Sequence, residues 1–403
     1  MKKSLDIAHK IWRCLPRNFR QNLFRRLGTI GVQKSSGLSA DYGRAPIYVV
    51  GLFSTASGLG EGARLMYAAL RENKAAIDVS AVFRHCDYRW EASKHMPCAH
   101  DICAPVIVHI NAPFFANALQ AAQHKLPKKR RIIGYWAWEL PQVPHSWQGA
   151  RPFVYEVWVP SNFVRNALSG MIDVPIRVVP HPLPDFFEEK VHSPDGNGPS
   201  KGPFKFLVMF NCGSSFMRKN PLGAVRAYHI AFGDSDDVHL HIHALNPHMA
   251  PAGMAQLQKE IEDCDNISLS HEVLSQPDLW KLINDHDAII SLHRSEGFGL
   301  VPAQAMICAK PVIVTNWSGN MDFTTDENAC LVNSTLVRAQ DVQGTYDSKE
   351  MLWAEPDCEH AALHMRAVFD DPKNTAQKAA KARRDIMAHT SQACFQKFIQ
   401  DLG

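Results

Sequence analysis

The 403-residue sequence has no run of about 18 apolar residues, the length a helix needs to cross a bilayer. Its N-terminus has no apolar core followed by a small-residue cleavage site, so no secretory signal is expected. The ten cysteines follow no regular framework, and a chain kept inside the cell would leave them reduced; a cytoplasmic protein is the expectation. Excess charge is also lacking: the net value is +3, which by itself argues for no particular partner. With 46% hydrophobic and 21% charged residues the composition is that of a soluble globular protein, and the length suits two domains better than one.

One region does carry one-sided charge. Lys2, Lys3, Lys10, Arg13, Arg17, Arg20, Arg25, Arg26 and Lys34 face a single acid, Asp6. Ile7, Ile11, Leu15, Phe19, Leu23 and Leu27 recur at four-residue steps, a helical apolar stripe interrupted near Pro16. Two readings stand for residues 1–40: a helix lying on an anionic membrane surface, or a helix packed on its own protein with its charges solvated. A second basic cluster, Lys125 and Lys128 to Arg131, fits either. Neither has the aromatic interleaving of a nucleic-acid platform, so no nucleic-acid partner is expected.

The densest stretch is His293-Arg294-Ser295-Glu296-Gly297-Phe298-Gly299-Leu300-Val301-Pro302-Ala303-Gln304. Ala288–Ile290 leads in as a buried strand, two glycines turn the chain, and Pro302 suits the first turn of a helix over 301–309. Lys310–Thr315 then reads as the next strand. Such a unit puts Glu296 at the carboxyl end of a parallel strand, where open α/β sheets bind ligands. Gln304 falls early in the helix, within reach of the same ligand.

Other strands are expected at 47–53, 79–83, 106–111, from 131, 155–159, 176–180, 204–210, 238–243 and 330–332, the last of these being the final one. The first runs into Ser57-Gly58-Leu59-Gly60-Glu61-Gly62, a glycine-rich turn that either lets backbone N–H groups approach a phosphate or is a tight structural turn. Its spacing is not that of dinucleotide binders, which disfavours an NAD-dependent oxidoreductase. His109, near the carboxyl end of its strand, is a candidate for binding ligand hydroxyls or relaying a proton, with a structural histidine as the alternative. Trp136 and Trp138 are candidates to stack on a ligand ring or to fill a core, with Glu139 the carboxylate beside them. Residues 188–203, dense in glycine and proline, read as a linker. Beyond it, Asn220 caps a helix with Pro221 at its first position, which sets Arg218 and Lys219 just before a helix N-terminus, where two cations make sense beside a bound anion. The loop after Thr315 resembles a phosphate-facing turn, in which the backbone N–H groups of Ser318, Gly319 and Asn320 are candidates to meet a phosphate, while Asp322 serves equally as a cap. Two potential metal clusters, His95–Cys103 and the alternating His239, His241 and His243, are read as structural. An alanine-rich helix is expected over 374–399.

These motifs resemble those of glycosyltransferase family 4, retaining enzymes of the two-domain GT-B fold that use nucleotide sugars. The family motif is two glutamates separated by seven residues, held here by Glu296 and, with its charge removed, Gln304. The Arg-Lys-Asn-Pro run is similar to the family's diphosphate-binding pair. The block from Arg131 to Leu168 resembles a subgroup that includes bacterial polysaccharide mannosyltransferases. The resemblance implies two Rossmann-like domains facing a cleft: an acceptor domain over 45–187, a nucleotide-sugar domain over 204–373, and a C-terminal helix over 374–403 crossing back to the first. It implies Glu296, Arg218, Lys219 and His109 in catalysis. Gly58, Gly60, Gly297, Phe298, Gly299, Leu300, Gln304, Ser318, Gly319 and Asn320 would bind a UDP- or GDP-linked donor, and Trp136, Trp138 and Glu139 the acceptor. It implies no metal and no further cofactor. The activity it implies is transfer of a mannose- or glucose-type hexose to a glycan or lipid-linked acceptor in cell-surface polysaccharide or lipopolysaccharide assembly. A catalytically weak protein that binds sugar nucleotide or glycan as a scaffold is the alternative, and its support is Gln304.

Overall fold

The computed structural model describes residues 23, 28, 29, 31–35, 46–70, 74–83, 87, 103–184, 202–346 and 350–400. The basic segment over 1–40, the His95–Cys103 loop and the linker over 188–203 lie wholly or largely outside them.

Two six-stranded parallel sheets form the framework. The first holds β1 (Ile47–Gly51), β2 (Lys74–Asp78), β3 (Cys103–Val108), β4 (Lys129–Tyr135), β5 (Glu156–Val159) and β6 (Ile176–Val178), in the order β2-β1-β3-β4-β5-β6. The second holds β7 (Phe204–Asn211), β8 (Val238–Leu245), β9 (Ile267–Ser270), β10 (Ala288–Ser291), β11 (Val312–Thr315) and β12 (Cys330–Val332), in the order β12-β11-β10-β7-β8-β9. Parallel strands need helical crossovers that cover both faces, so their sequences run apolar throughout instead of alternating. Val49, Val106, Ile107, Ile132 and Ile133 in one sheet, and Phe206, Leu207, Ile289 and Ile313 in the other, are wholly buried. The strand expected at 79–83 is a 3-10 turn over Ser80–Phe83, and β2 lies just before it. Asp78 ends that strand by accepting the Ser80 N–H at 2.9 Å and its hydroxyl at 2.5 Å.

Cys330–Val332 is not the final strand. An antiparallel pair, β13 (Ser334–Arg338) and β14 (Leu352–Pro356), follows outside both sheets. Arg294 fastens it through two bonds to Glu355, at 2.6 and 2.8 Å. Trp353 is 2% exposed and packs with Tyr346 and Ala339 in the core of the N-terminal domain, so the excursion bridges the two halves.

The alanine-rich C-terminus forms two helices, Pro372–Thr390 and Gln392–Gln400, divided at Ser391. The first packs Ala382 and Ile386 into the core beside the helix Leu300–Ile307. The second returns to the N-terminal domain, where Phe395 joins Val49, Phe53 and Trp158. Gln392 and Gln396 both donate to the Ala69 carbonyl, at 3.1 and 2.8 Å.

Candidate active site

The loops after β7 and β10 meet at the carboxyl edge of the second sheet. After β7, Ser215 adopts φ +72° and its hydroxyl caps the short helix Phe216–Lys219. Asn220, left-handed at φ +50°, then caps the helix Pro221–Phe232 by accepting the Gly223 N–H. This double turn presents Arg218 and Lys219 to Glu296. The Arg218 Nη1 lies 3.1 Å from Glu296 Oε2 and donates to the Ser295 carbonyl at 2.6 Å. Its Nε and Nη2 donate to the Ser214 carbonyl at 3.2 and 2.8 Å. Lys219 Nζ pairs with Glu296 Oε1. Arg218 is 1% exposed, so the planar fork is fixed on all its edges, whereas 17% of the Lys219 side chain remains open.

Burial alone would raise the Glu296 carboxyl, but Lys219 and Arg218 outweigh it and hold it at about 2. Burial lowers the Lys219 ammonium, partly countered by Glu296. For Arg218 burial is outweighed by Glu296, Tyr346 and Glu139, which keep the guanidinium charged.

Glu296 is placed by two glycines in close backbone contact. Its N–H donates to Ser318 Oγ at 2.8 Å, and its carbonyl accepts the Gly319 N–H at 2.9 Å. A Cβ on Gly319 would sit 2.3 Å from the Gly297 carbonyl oxygen, and one on Gly297 would sit 3.0 Å from that of Trp138. The Gly319 N–H expected to meet a phosphate is therefore already committed. Asn320 is likewise internal: its amide spans the Thr315 carbonyl and the His293 ring. Asp322 proves to be a cap across the cleft, accepting from the backbone and side chain of Asn162 at 2.7 and 3.0 Å.

The helix begins at Leu300, one residue earlier than expected, after Gly299 at φ +98°. Phe298 is 3% exposed and wedges between His181 and Phe323, an apolar anchor for the loop. Gln304 is 3% exposed, and its Nε2 has no hydrogen-bond partner among the described residues. A buried amide without a partner costs on the order of 1–3 kcal/mol unless something else satisfies it.

On the opposite wall the glycine-rich turn is shorter than expected. Ser57 caps a helix that runs Gly58–Ala69, so all three glycines belong to it. Gly60 is packed against the carbonyls of Thr55 and Leu52, and Gly62 against His109 and His181; Gly58 alone has open space around it. His109 is wholly buried, stacks on Tyr135 at 4.4 Å, and has no hydrogen-bond partner on either ring nitrogen among the described residues. Burial, with His181 adding to it, pushes its pKa well down, so the ring is neutral.

The aromatic block corrects one expectation. Trp136 is 0% exposed, edge-on to Phe115 and Trp147, and unavailable to an acceptor. Trp138 is 7% exposed, with its N–H on the Gln142 carbonyl and its ring against Trp147 and Tyr346. Both are core residues: the loop is fixed by large apolar burial, which leaves only Glu139 facing Arg218, at 4.0 Å. Tyr346, from the segment between β13 and β14, donates to Glu139 at 2.7 Å. Sequence reasoning misses Tyr346, because no local pattern marks a contact across 207 residues.

The histidines of β8 form a polar ladder with β9. His239 bonds Ser268, and His241 and His243 share Ser270, while His241 also meets His286 at 3.1 Å. Among the described residues no group of three or more His, Cys, Asp or Glu side chains is arranged to hold a metal ion, and no helix is long and apolar enough to cross a membrane.

Two six-stranded parallel sheets, with the Arg218-Lys219 loop meeting the Glu296-Gly297 loop at the carboxyl edge of the second, have the architecture of the GT-B fold. Residues 162–398, more than half of the chain, match the family described as Family 4 Glycosyltransferase in conflict systems. The chain belongs to this family and is a family 4 glycosyltransferase, a retaining hexosyltransferase that uses a nucleotide sugar. The structure is similar to Anabaena HepE solved with UDP and glucose: TM-score 0.63, 12% identity, covering 89% of this chain and 99% of that one. Sucrose-phosphate synthase from Thermosynechococcus elongatus superposes with a TM-score of 0.62 at 14% identity, over 89% and 98%. A mutant of S. aureus TarM in complex with fondaparinux, α-GlcNAc-glycerol and UDP gives 0.51 at 14% identity, over 74% and 55%. At such identities the likeness is one of fold. A comparison with curated proteins finds no match.

Proposed function

We propose that this chain transfers a mannose- or glucose-type hexose from a UDP- or GDP-linked donor to a glycan or lipid-linked acceptor in cell-surface polysaccharide assembly. The observation that carries the reading is the meeting of Arg218, Lys219 and Glu296 at the carboxyl edge of β7 and β10. Departure of a nucleoside diphosphate from the anomeric carbon builds negative charge on the β-phosphate, which two prepositioned cations stabilise. Lys219, the more open of the two, meets the diphosphate first. Glu296 holds donor sugar hydroxyls and fixes the ring for attack, a role its carboxylate form suits because it only accepts hydrogen bonds. The unpartnered amide of Gln304 is assigned to the ribose, and the unpartnered His109 ring to the sugar. Gly58, at the start of its helix, leaves room for a phosphate. In this reading the basic segment over 1–40 holds the enzyme on an anionic membrane surface, close to a lipid-linked acceptor.

A UDP-linked donor is supported by the complexes of HepE and TarM with UDP. The test is a thermal-shift screen of the full chain with UDP, GDP and their hexoses, followed by donor hydrolysis. Stabilisation by one nucleotide series, with hydrolysis lost in Arg218→Ala, is the expected result. Stabilisation without hydrolysis would leave the scaffold reading, which the neutral Gln304 favours, and no stabilisation with no effect of Arg218→Ala would overturn the enzyme reading.

A further inference from the structure

The segment between β13 and β14 stands outside both sheets yet is tied to the loop that carries Arg218. Asp341 accepts the N–H groups of Gln343, Thr345 and Tyr346 at 3.2, 2.9 and 3.1 Å, and the hydroxyl of Ser215 at 2.8 Å. Gln343 accepts the Phe216 N–H at 2.7 Å and donates to the Cys212 carbonyl at 2.8 Å. So fastened, the segment delivers Tyr346 to a fixed place. Its ring centre is 5.2 Å from the Arg218 guanidinium carbon, and its hydroxyl donates to Glu139 Oε2 at 2.7 Å. The other carboxylate oxygen, Oε1, is 4.0 Å from Arg218 Nη2.

The charges at this point already balance. Arg218 and Lys219 face Glu296 and Glu139, and the two carboxylates come from opposite walls of the cleft. Glu296 is central to the Arg218 and Lys219 pairing; Glu139 touches only the outer edge of the guanidinium and keeps 18% of its side chain open. A diphosphate entering beside these cations would meet a like charge on the Glu139 side. A carboxylate held there by a neutral phenol hydroxyl is a resident anion at a site built for anions.

We propose that Glu139, held by Tyr346, occupies the Arg218 side of the diphosphate position, and that donor binding displaces it. The pair then sets a charge threshold: a ligand must bring enough negative charge to outcompete Glu139 before it gains the Arg218 edge. This inference rests on the donor reading proposed above. Tyr346 is a positioning residue, acting through Glu139 without touching the donor.

The test is calorimetric titration of the full chain with UDP and GDP, and with uridine and guanosine as uncharged controls, in wild type, Glu139→Gln and Tyr346→Phe. Removing one like charge from a partly screened site is expected to tighten nucleoside diphosphate binding roughly tenfold in Glu139→Gln. Tyr346→Phe, which keeps the ring and frees the carboxylate, tightens it less. Neither change moves nucleoside affinity, which a general structural defect would. Should Glu139→Gln fail to fold, Tyr346→Phe carries the test. Unchanged or weaker diphosphate binding in the folded variants, with wild type binding, overturns the displacement proposal and leaves the donor site standing. Absence of binding in wild type and variants alike overturns both.

Discussion

Ser161, on the N-terminal domain, donates its hydroxyl to the carbonyl of Gly297 on the C-terminal domain at 2.6 Å. The same oxygen accepts the Val164 N–H at 3.2 Å and so caps the helix Asn162–Leu168. Next to it, Asp322 caps that helix from across the cleft. Helix capping and the contact between the domains are thus one set of bonds, centred on the residue next to Glu296.

Ser161→Ala removes both roles at once. Loss of a cap costs about 1 kcal/mol, and freeing the Gly297 carbonyl loosens the Glu296 loop. The expected result is a lower Tm together with weaker donor binding. Asp322→Asn, which keeps one acceptor, is expected to show a smaller drop in both. Normal donor binding in Ser161→Ala would detach the contact from the site.

Gly319→Ala introduces a Cβ that has nowhere to go. The atom would lie 2.3 Å from the Gly297 carbonyl oxygen, and that neighbour is backbone, not a side chain that can turn away. Overpacking of this kind costs roughly 1–3 kcal/mol. Thermal unfolding should show the loss, and an unchanged Tm would mean that the two loops are less tightly apposed.

Arg218→Ala is expected to lower turnover by at least about a hundredfold, the scale for losing one group that stabilises a leaving charge. Arg218→Lys should restore little of it. A lysine cannot reach the Ser295 and Ser214 carbonyls and Glu296 together, as the guanidinium fork does. Full activity in Arg218→Lys would show that charge alone suffices.

Two groups of residues give two acid limbs in a plot of Tm against pH. His243 and His286 are pushed down to about 4 by burial, from an ordinary 6.5. As pH falls from 6.5 to 4, the unfolded chain takes up protons that the folded chain refuses, so stability drops. Glu296, held at about 2 against an ordinary 4.5, contributes stability that is present above 4.5 and is lost as pH falls toward 2. His286→Gln should flatten the upper limb and Glu296→Gln the lower one. Identical profiles for wild type and both variants would contradict the burial and pairing seen here.

Gln304→Glu puts a carboxylate where the amide is buried without a partner. Without ligand the variant should melt below wild type, because an unpaired buried charge is costly. If the residue faces a ribose, nucleoside diphosphate should stabilise the variant more than it stabilises wild type. Equal shifts would remove Gln304 from the donor site.

Much of this was legible in the residues. The buried strands announce themselves because both faces of a parallel sheet are covered, and Asn220-Pro221 marks its helix through local backbone chemistry alone. Arg218, Lys219 and Glu296 were readable because each sits at the end of a recognisable strand or before a recognisable helix. What was hidden depends on packing at long range. Trp136 looks the same in sequence whether it fills a core or waits for a sugar; its edge contacts with Phe115 and Trp147 decide. Gly60 and Gly62 read equally as a phosphate turn or a tight structural one, and close packing against the Thr55 carbonyl and His109 accounts for their lack of a side chain. The β-branched and apolar residues of β13 and β14 are visible in Thr335-Leu336-Val337 and Leu352-Trp353-Ala354, without a period-2 alternation. That this pair would bridge to another domain and deliver Tyr346 to Glu139 is not.

The return of Gln392–Gln400 to the N-terminal domain bears on the order in which the chain matures. Phe395 completes a core that begins at Val49, and the Ala69 carbonyl waits for Gln392 and Gln396. During synthesis the N-terminal domain emerges from the ribosome long before these residues exist, and stands with part of its apolar surface uncovered while the second sheet is made. Its last contacts span more than three hundred residues, the kind of closure that slows folding and lengthens exposure to aggregation. Translation must therefore run past the whole second sheet before the N-terminal domain is sealed.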